Sequence, residues 1–119
     1  MTRDDAPKGM PGVTLTPLSK LEGPATGYET VMLKITVPAG TLIGRHTHPG
    51  IENTYVLEGS GELMIEGSPS RHLQAGDAFQ VPPGAVHSVQ IGDTPASVCS
   101  VLVVEMGKPL VIPVSQPEP

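Results

Sequence analysis

Glycine and proline break this chain every few residues: 14 of each occur among 119, together close to twice the roughly 12% of an ordinary protein. Proline inside a helix costs about 3 kcal/mol and glycine about 1, so long helices are nearly excluded. The breakers do not form a low-complexity tract. They separate short apolar runs, as in Pro38-Ala39-Gly40, Gly59-Ser60-Gly61, Glu66-Gly67-Ser68-Pro69, Gln74-Ala75-Gly76-Asp77 and Pro82-Pro83-Gly84. Short runs at regular spacing between turn residues are the pattern of an all-β sandwich or barrel. The runs predict strands over Val13–Leu18, Glu29–Val37, Leu42–His48, Asn53–Glu58, Gly61–Ile65, Ala78–Val81, Val86–Ile91, Ser97–Glu105 and Leu110–Val114. Residues 1–12 read as a flexible lead-in, 13–114 as a single domain and 115–119 as a flexible tail.

Charge narrows the partners. Twelve acidic against seven basic residues give −5 with no basic cluster, so the footprint of a nucleic-acid binder is missing. No apolar run reaches the roughly 18 residues of a membrane span, and Met1 to Pro7 lacks the apolar stretch of a secretory signal. The single cysteine, Cys99, has no partner for an internal disulfide and reads as a buried, inert thiol in an apolar strand. The expectation is a cytoplasmic protein that binds a small molecule and neither nucleic acid nor membrane.

Three of the four histidines carry chemistry. His46 and His48 stand two apart on a candidate strand and so share a face. Glu52 follows across Pro49-Gly50, and His87 opens a later strand. Three imidazoles and a carboxylate that can converge make a metal site on chemical grounds. The fourth histidine, His72, next to Arg71, reads as solvent-exposed.

These residues fall into two spaced patterns. Gly40, His46, His48, Glu52 and Gly59 match G-x5-H-x-H-x3-E-x6-G; Gly76, Pro82, Gly84 and His87 match G-x5-P-x-G-x2-H-x3-N, with Ile91 in place of the final Asn. The chain thereby resembles the small single-domain cupins. That resemblance implies a jelly-roll β-barrel of two antiparallel sheets, with His46, His48, Glu52 and His87 as ligands of one divalent transition metal (Mn, Fe, Co, Ni or Zn). It also points to a homodimer, in which Val13–Leu18 or Leu110–Val114 covers a partner's edge. The four motif glycines are expected in turns that need positive φ.

Strand alternation predicts the cavity wall. Val89 and Ile91 share the face of His87, Leu42 and Gly44 that of His46 and His48, Arg45 and Tyr55 point away, and Lys34 is the one base placed to point inward. Four protein ligands on an octahedral ion leave two positions for substrate, which suits Lewis-acid chemistry or O₂ activation. The favoured expectation is a dioxygenase acting on a small, mostly apolar oxygen chelator, with Glu52 as the catalytic base. A redox-neutral isomerase or lyase and a non-enzymatic ligand-binding module are the alternatives.

Overall fold

The computed structural model describes residues 12–115; the lead-in through residue 11 and the tail from residue 116 lie outside the described residues. Ten strands follow in order: β1 (Thr14–Glu22), β2 (Tyr28–Val37), β3 (Leu42–Thr47), β4 (Gly50–Glu58), β5 (Ser60–Ile65), β6 (Arg71–Gln74), β7 (Ala78–Val81), β8 (His87–Ile91), β9 (Ala96–Glu105) and β10 (Ile112–Pro113). They form two five-stranded antiparallel sheets, ordered β1-β2-β9-β4-β7 and β10-β3-β8-β5-β6. The fold is all-β, as the breaker density predicts, and a jelly roll, as the family resemblance implies. Among the described residues no helix is long and apolar enough to cross a membrane.

Alternation sets what each strand buries. β4 reads buried at Gly50, Glu52, Thr54 and Val56, with Ile51 and Tyr55 exposed between them. β9 turns Ala96, Ser100, Leu102 and Val104 inward. Three apolar clusters pack the interior among the described residues: Val56, Leu63, Leu73, Phe79 and Val81; Val31, Leu33, Leu102 and Val104; and Val37, Ile91 and Ala96. Each such side chain larger than alanine contributes about 1.5–3 kcal/mol on burial. The space between the sheets that these clusters leave open is where the histidines gather.

Several expectations are corrected here. β6 is absent from the strands the sequence predicts, since Arg71-His72-Leu73-Gln74 offers one apolar residue; its place is set by pairing with β5 and by burial of Leu73. Lys34 lies on the outer face of β2 and is exposed, since Leu33 and Ile35 take the inward positions. Cys99 is half-buried on the outward face of β9, not enclosed. On β3 the ladder with β8 shifts between Ile43 and His46. This bulge reverses the alternation, so Leu42 is 49% exposed and Ile43 faces the cavity in its stead. An extra residue in one strand of a pair has this effect on every position before it.

Candidate metal centre

His46 and His87 are direct partners in the β3–β8 ladder. His48 lies one residue beyond β3, and Glu52 comes from the opposite sheet on β4. The four side chains are thus brought together across the sandwich by the short β3–β4 connection. Gly50 lets that connection lie flat: a Cβ there would fall 1.8 Å from the Val103 carbonyl oxygen. Gly40, Gly59, Gly76 and Gly84 all adopt positive φ, as their turn positions require.

The three imidazoles converge, each offering a nitrogen within 4.8 Å of the others, and all three are buried. Their outer nitrogens are spoken for. Nδ1 of His46 donates to the Gly44 carbonyl at 2.7 Å, Nδ1 of His48 to Leu110 at 2.7 Å, and Nδ1 of His87 to Ala85 at 3.0 Å. A neutral imidazole carries one proton, so three Nδ1–H bonds leave three Nε2 lone pairs facing a common point. Backbone carbonyls that fix tautomer and ring plane in this way are the ordinary support of metal-binding histidines. The three-histidine site therefore fits a divalent metal ion.

Glu52 lies beside this cluster. Its Oε1 is 3.1 Å from His48 Nε2 and 3.2 Å from His87 Nε2. Its Oε2 accepts from the Thr54 hydroxyl, which is 2.7 Å from the Ser100 hydroxyl. Burial pushes the Glu52 carboxyl up, but the adjoining His48 and His87 rings and the Thr54 hydroxyl overcome it and hold the group far below the usual carboxylate range. Burial also opposes charge on His48, yet the adjoining Glu52 carboxylate outweighs it and raises the imidazole above 6.5. His46 has no such partner at bonding distance. Desolvation, with His87 and His48 nearby, lowers it to about 4.

The remaining wall is apolar. The cavity holds about 110 Å³, room for several water-sized groups, since one water occupies roughly 10–15 Å³ on this measure. Val89 and Ile91 line it, as alternation from His87 predicts. Among the described residues it is lined by no Lys, Arg, Tyr or Cys. The other singled-out residues stay away: His72 is exposed on Glu62 at 2.9 Å, Arg45 pairs outside with Glu66 at 2.9 Å, and Tyr55 is 48% exposed. Thr54, Ser100 and the Leu110 carbonyl were not anticipated. Thr54 was within reach, being two residues from Glu52 and so on its face.

The family follows from comparison with known proteins. A family model described as the cupin domain matches residues 33–105. The chain belongs to the cupin family. Dimethylsulfoniopropionate lyase DddQ of Ruegeria pomeroyi is 33% identical over 73 residues, which cover 61% of this chain and 36% of that one. The crystal structure of the same lyase superposes with a TM-score of 0.73 at 25% identity, over 86% of this cupin and 51% of the lyase chain. This cupin thus spans about a third to a half of the relative it matches. A double-stranded β-helix protein from Klebsiella pneumoniae (TM-score 0.67, 24% identity, 93% and 90% of the two chains) shares the fold. So does the polyketide cyclase RemF of Streptomyces resistomycificus (0.67, 24%, 89% and 73%).

Proposed function

We propose that this cupin is a metal-dependent lyase acting on a small molecule with an oxygen at one end and an apolar body. The observation that carries the reading is the isolation of Glu52. It is the single carboxylate lining the described cavity, beside three imidazoles whose Nδ1 bonds turn Nε2 inward. Likeness to a dimethylsulfoniopropionate lyase over 61% of this chain supports redox-neutral elimination.

His46, His48 and His87 would hold the ion, with Glu52 as fourth donor. A divalent ion supplies Lewis-acid polarisation of a substrate oxygen. Glu52 does the proton work. It is ionised throughout the neutral range, so it would give up its place as donor to accept a proton from the carbon next to the polarised group. The C–H electron pair forms the new double bond, and the leaving group departs with its own bonding pair. Val89, Ile91 and the facing Leu33 and Leu102 pack the substrate body and keep water from the proton acceptor. With no Lys or Arg in the wall, an anionic substrate group has only the metal end to pair with.

The test is anaerobic turnover of Zn²⁺-, Mn²⁺- and Fe²⁺-loaded protein on dimethylsulfoniopropionate and on uncharged β-substituted carbonyl compounds. Elimination product without O₂, lost in Glu52→Gln, is the expected result. Turnover that demands O₂ with the Fe²⁺ form transfers the assignment to the dioxygenase chemistry favoured from the sequence. Ligand binding with no turnover under any metal makes the protein a binding module.

A further inference from the structure

Three hydroxyl residues line the otherwise apolar cavity: Thr54, Ser60 and Ser100. Two of them, Thr54 on β4 and Ser100 on β9, are direct partners in the ladder joining those strands. Their inward neighbours along the same strands are Val56, Val98 and Leu102. Thr54 is 3% exposed and Ser100 1%. A hydroxyl taken out of water without a partner costs roughly 1–3 kcal/mol, so two at adjacent sheet positions need an explanation.

Their hydrogen bonds supply it, and only one direction is possible. A carboxylate oxygen accepts, and the Thr54 hydroxyl is the donor of the bond between them. Thr54 therefore donates its single hydroxyl hydrogen to Oε2. With that hydrogen used, Thr54 Oγ1 can only accept along its 2.7 Å contact with Ser100, so Ser100 donates. The chain runs one way, Ser100 to Thr54 to Glu52, and both hydroxyl hydrogens are consumed in it. It grips one carboxylate oxygen from the side of the β4–β9 sheet and leaves the other, Oε1, toward His48 and His87. A glutamate has several rotatable bonds, and fixing them costs entropy that some contact must offset.

We infer that Thr54, backed by Ser100, is a positioning residue that fixes the orientation in which Glu52 presents its free carboxylate oxygen to His48 and His87. The inference rests on the metal-centre reading of the cluster. It adds that a strand neighbour, not a ligand, sets the fourth donor's orientation. Valine at position 54 keeps the branched shape and suits a strand, so Thr54→Val removes the hydroxyl and little else. Thr54→Ser returns the hydroxyl and removes a methyl group.

The experiment titrates Co²⁺ against a chelator for wild type, Thr54→Val, Thr54→Ser, Ser100→Ala and Glu52→Gln. It also records the visible Co²⁺ spectrum and the melting temperature of each metal-free protein. Thr54→Val should bind Co²⁺ about 10- to 100-fold more weakly, the range typical of losing an outer support of a ligand, with an altered spectrum. Thr54→Ser should return to within about threefold of wild type, and Ser100→Ala should fall between. A merely structural hydroxyl would lower melting while affinity and spectrum held, and that result overturns the inference. So does failure of Thr54→Ser to rescue, or wild-type affinity in Glu52→Gln. If wild type binds Co²⁺ and Thr54→Val binds it equally, only the positioning role falls. If wild type takes up no Co²⁺, the metal reading falls with it.

Discussion

At the scale of single residues, the three Nδ1–H bonds make the histidines unequal to the carboxylate. His87 projects from a wall whose neighbours Val89 and Ile91 carry no donor, so His87→Ala leaves a gap that nothing fills. Glu52→Gln retains an oxygen at the same reach. Chelator competition should show the histidine variant losing more affinity, by at least the 10- to 100-fold of an outer-support loss; equal affinities would remove His87 from the ligand set. The metal-free protein should also weaken toward acid. Unfolded His46 titrates near 6.5 and the folded residue at about 4. Between those values the unfolded chain binds a proton that the folded one refuses, and stability drops with pH. Glu52, depressed in the fold, adds stability present above its unfolded pKa and lost toward acid. His48, raised by Glu52, runs the other way: its contribution is complete below 6.5 and fades as pH climbs. Melting temperatures in chelator should therefore fall from pH 6.5 to 4, and His46→Asn should flatten the slope. An unchanged slope would show that His46 is not its source. At Gly50 the prediction is mechanical. Gly50→Ala sets a methyl into the β9 backbone and should cost about 2–4 kcal/mol, in the tail where single substitutions fall for such clashes, readable by denaturant unfolding.

Elements explain why the site was legible and parts of its wall were not. The ligands could be read because they lie in or beside tight turns, where glycines with positive φ fix the spacing between strands. The β3 bulge could not be read. Leu42-Ile43-Gly44-Arg45-His46 alternates equally well in either phase, and only the pairing with β8 shows the shift that sends Ile43 inward. Lys34 failed for a related reason: one strand's alternation gives two faces but does not say which is inner, and β9 decided it. β6 was missed because its burial is confined to Leu73. The final strand holds a prediction of its own. β10 pairs with β3 at Thr47 and His46, and the approach to it places the Leu110 carbonyl on His48. Ending the chain at Gly107 removes both, so metal affinity should fall about 10- to 100-fold while circular dichroism still reports β structure. Unchanged affinity would mean the carbonyl does not orient the ring.

Across the whole molecule, the outer face of the β1-β2-β9-β4-β7 sheet is less polar than a solvent face should be. Leu21 is 75% exposed, Met32 37%, Ile51 42% and Tyr55 48%, and the register sets Met32 beside Val101 and Val103 beside Ile51. Five strands about 4.8 Å apart and some eight residues long present roughly 600 Å², near the ~800 Å² a standard interface buries on each partner. Both terminal strands pair within the chain, β1 on β2 and β10 on β3. We propose that a homodimer forms through this face. Sedimentation at tens of micromolar should give twice the 12.4 kDa chain mass, and Val101→Lys should return it to one; a 12.4 kDa wild-type species removes the proposal. The tether between His48 and Leu110 also has a meaning in time. Chains are made from the N-terminus at about 5–20 residues per second, so all three histidines and Glu52 exist seconds before the carbonyl that steadies His48. During that interval the Nδ1–H of His48 lacks the acceptor that fixes its ring. His46 and His87 find theirs two residues away and need not wait.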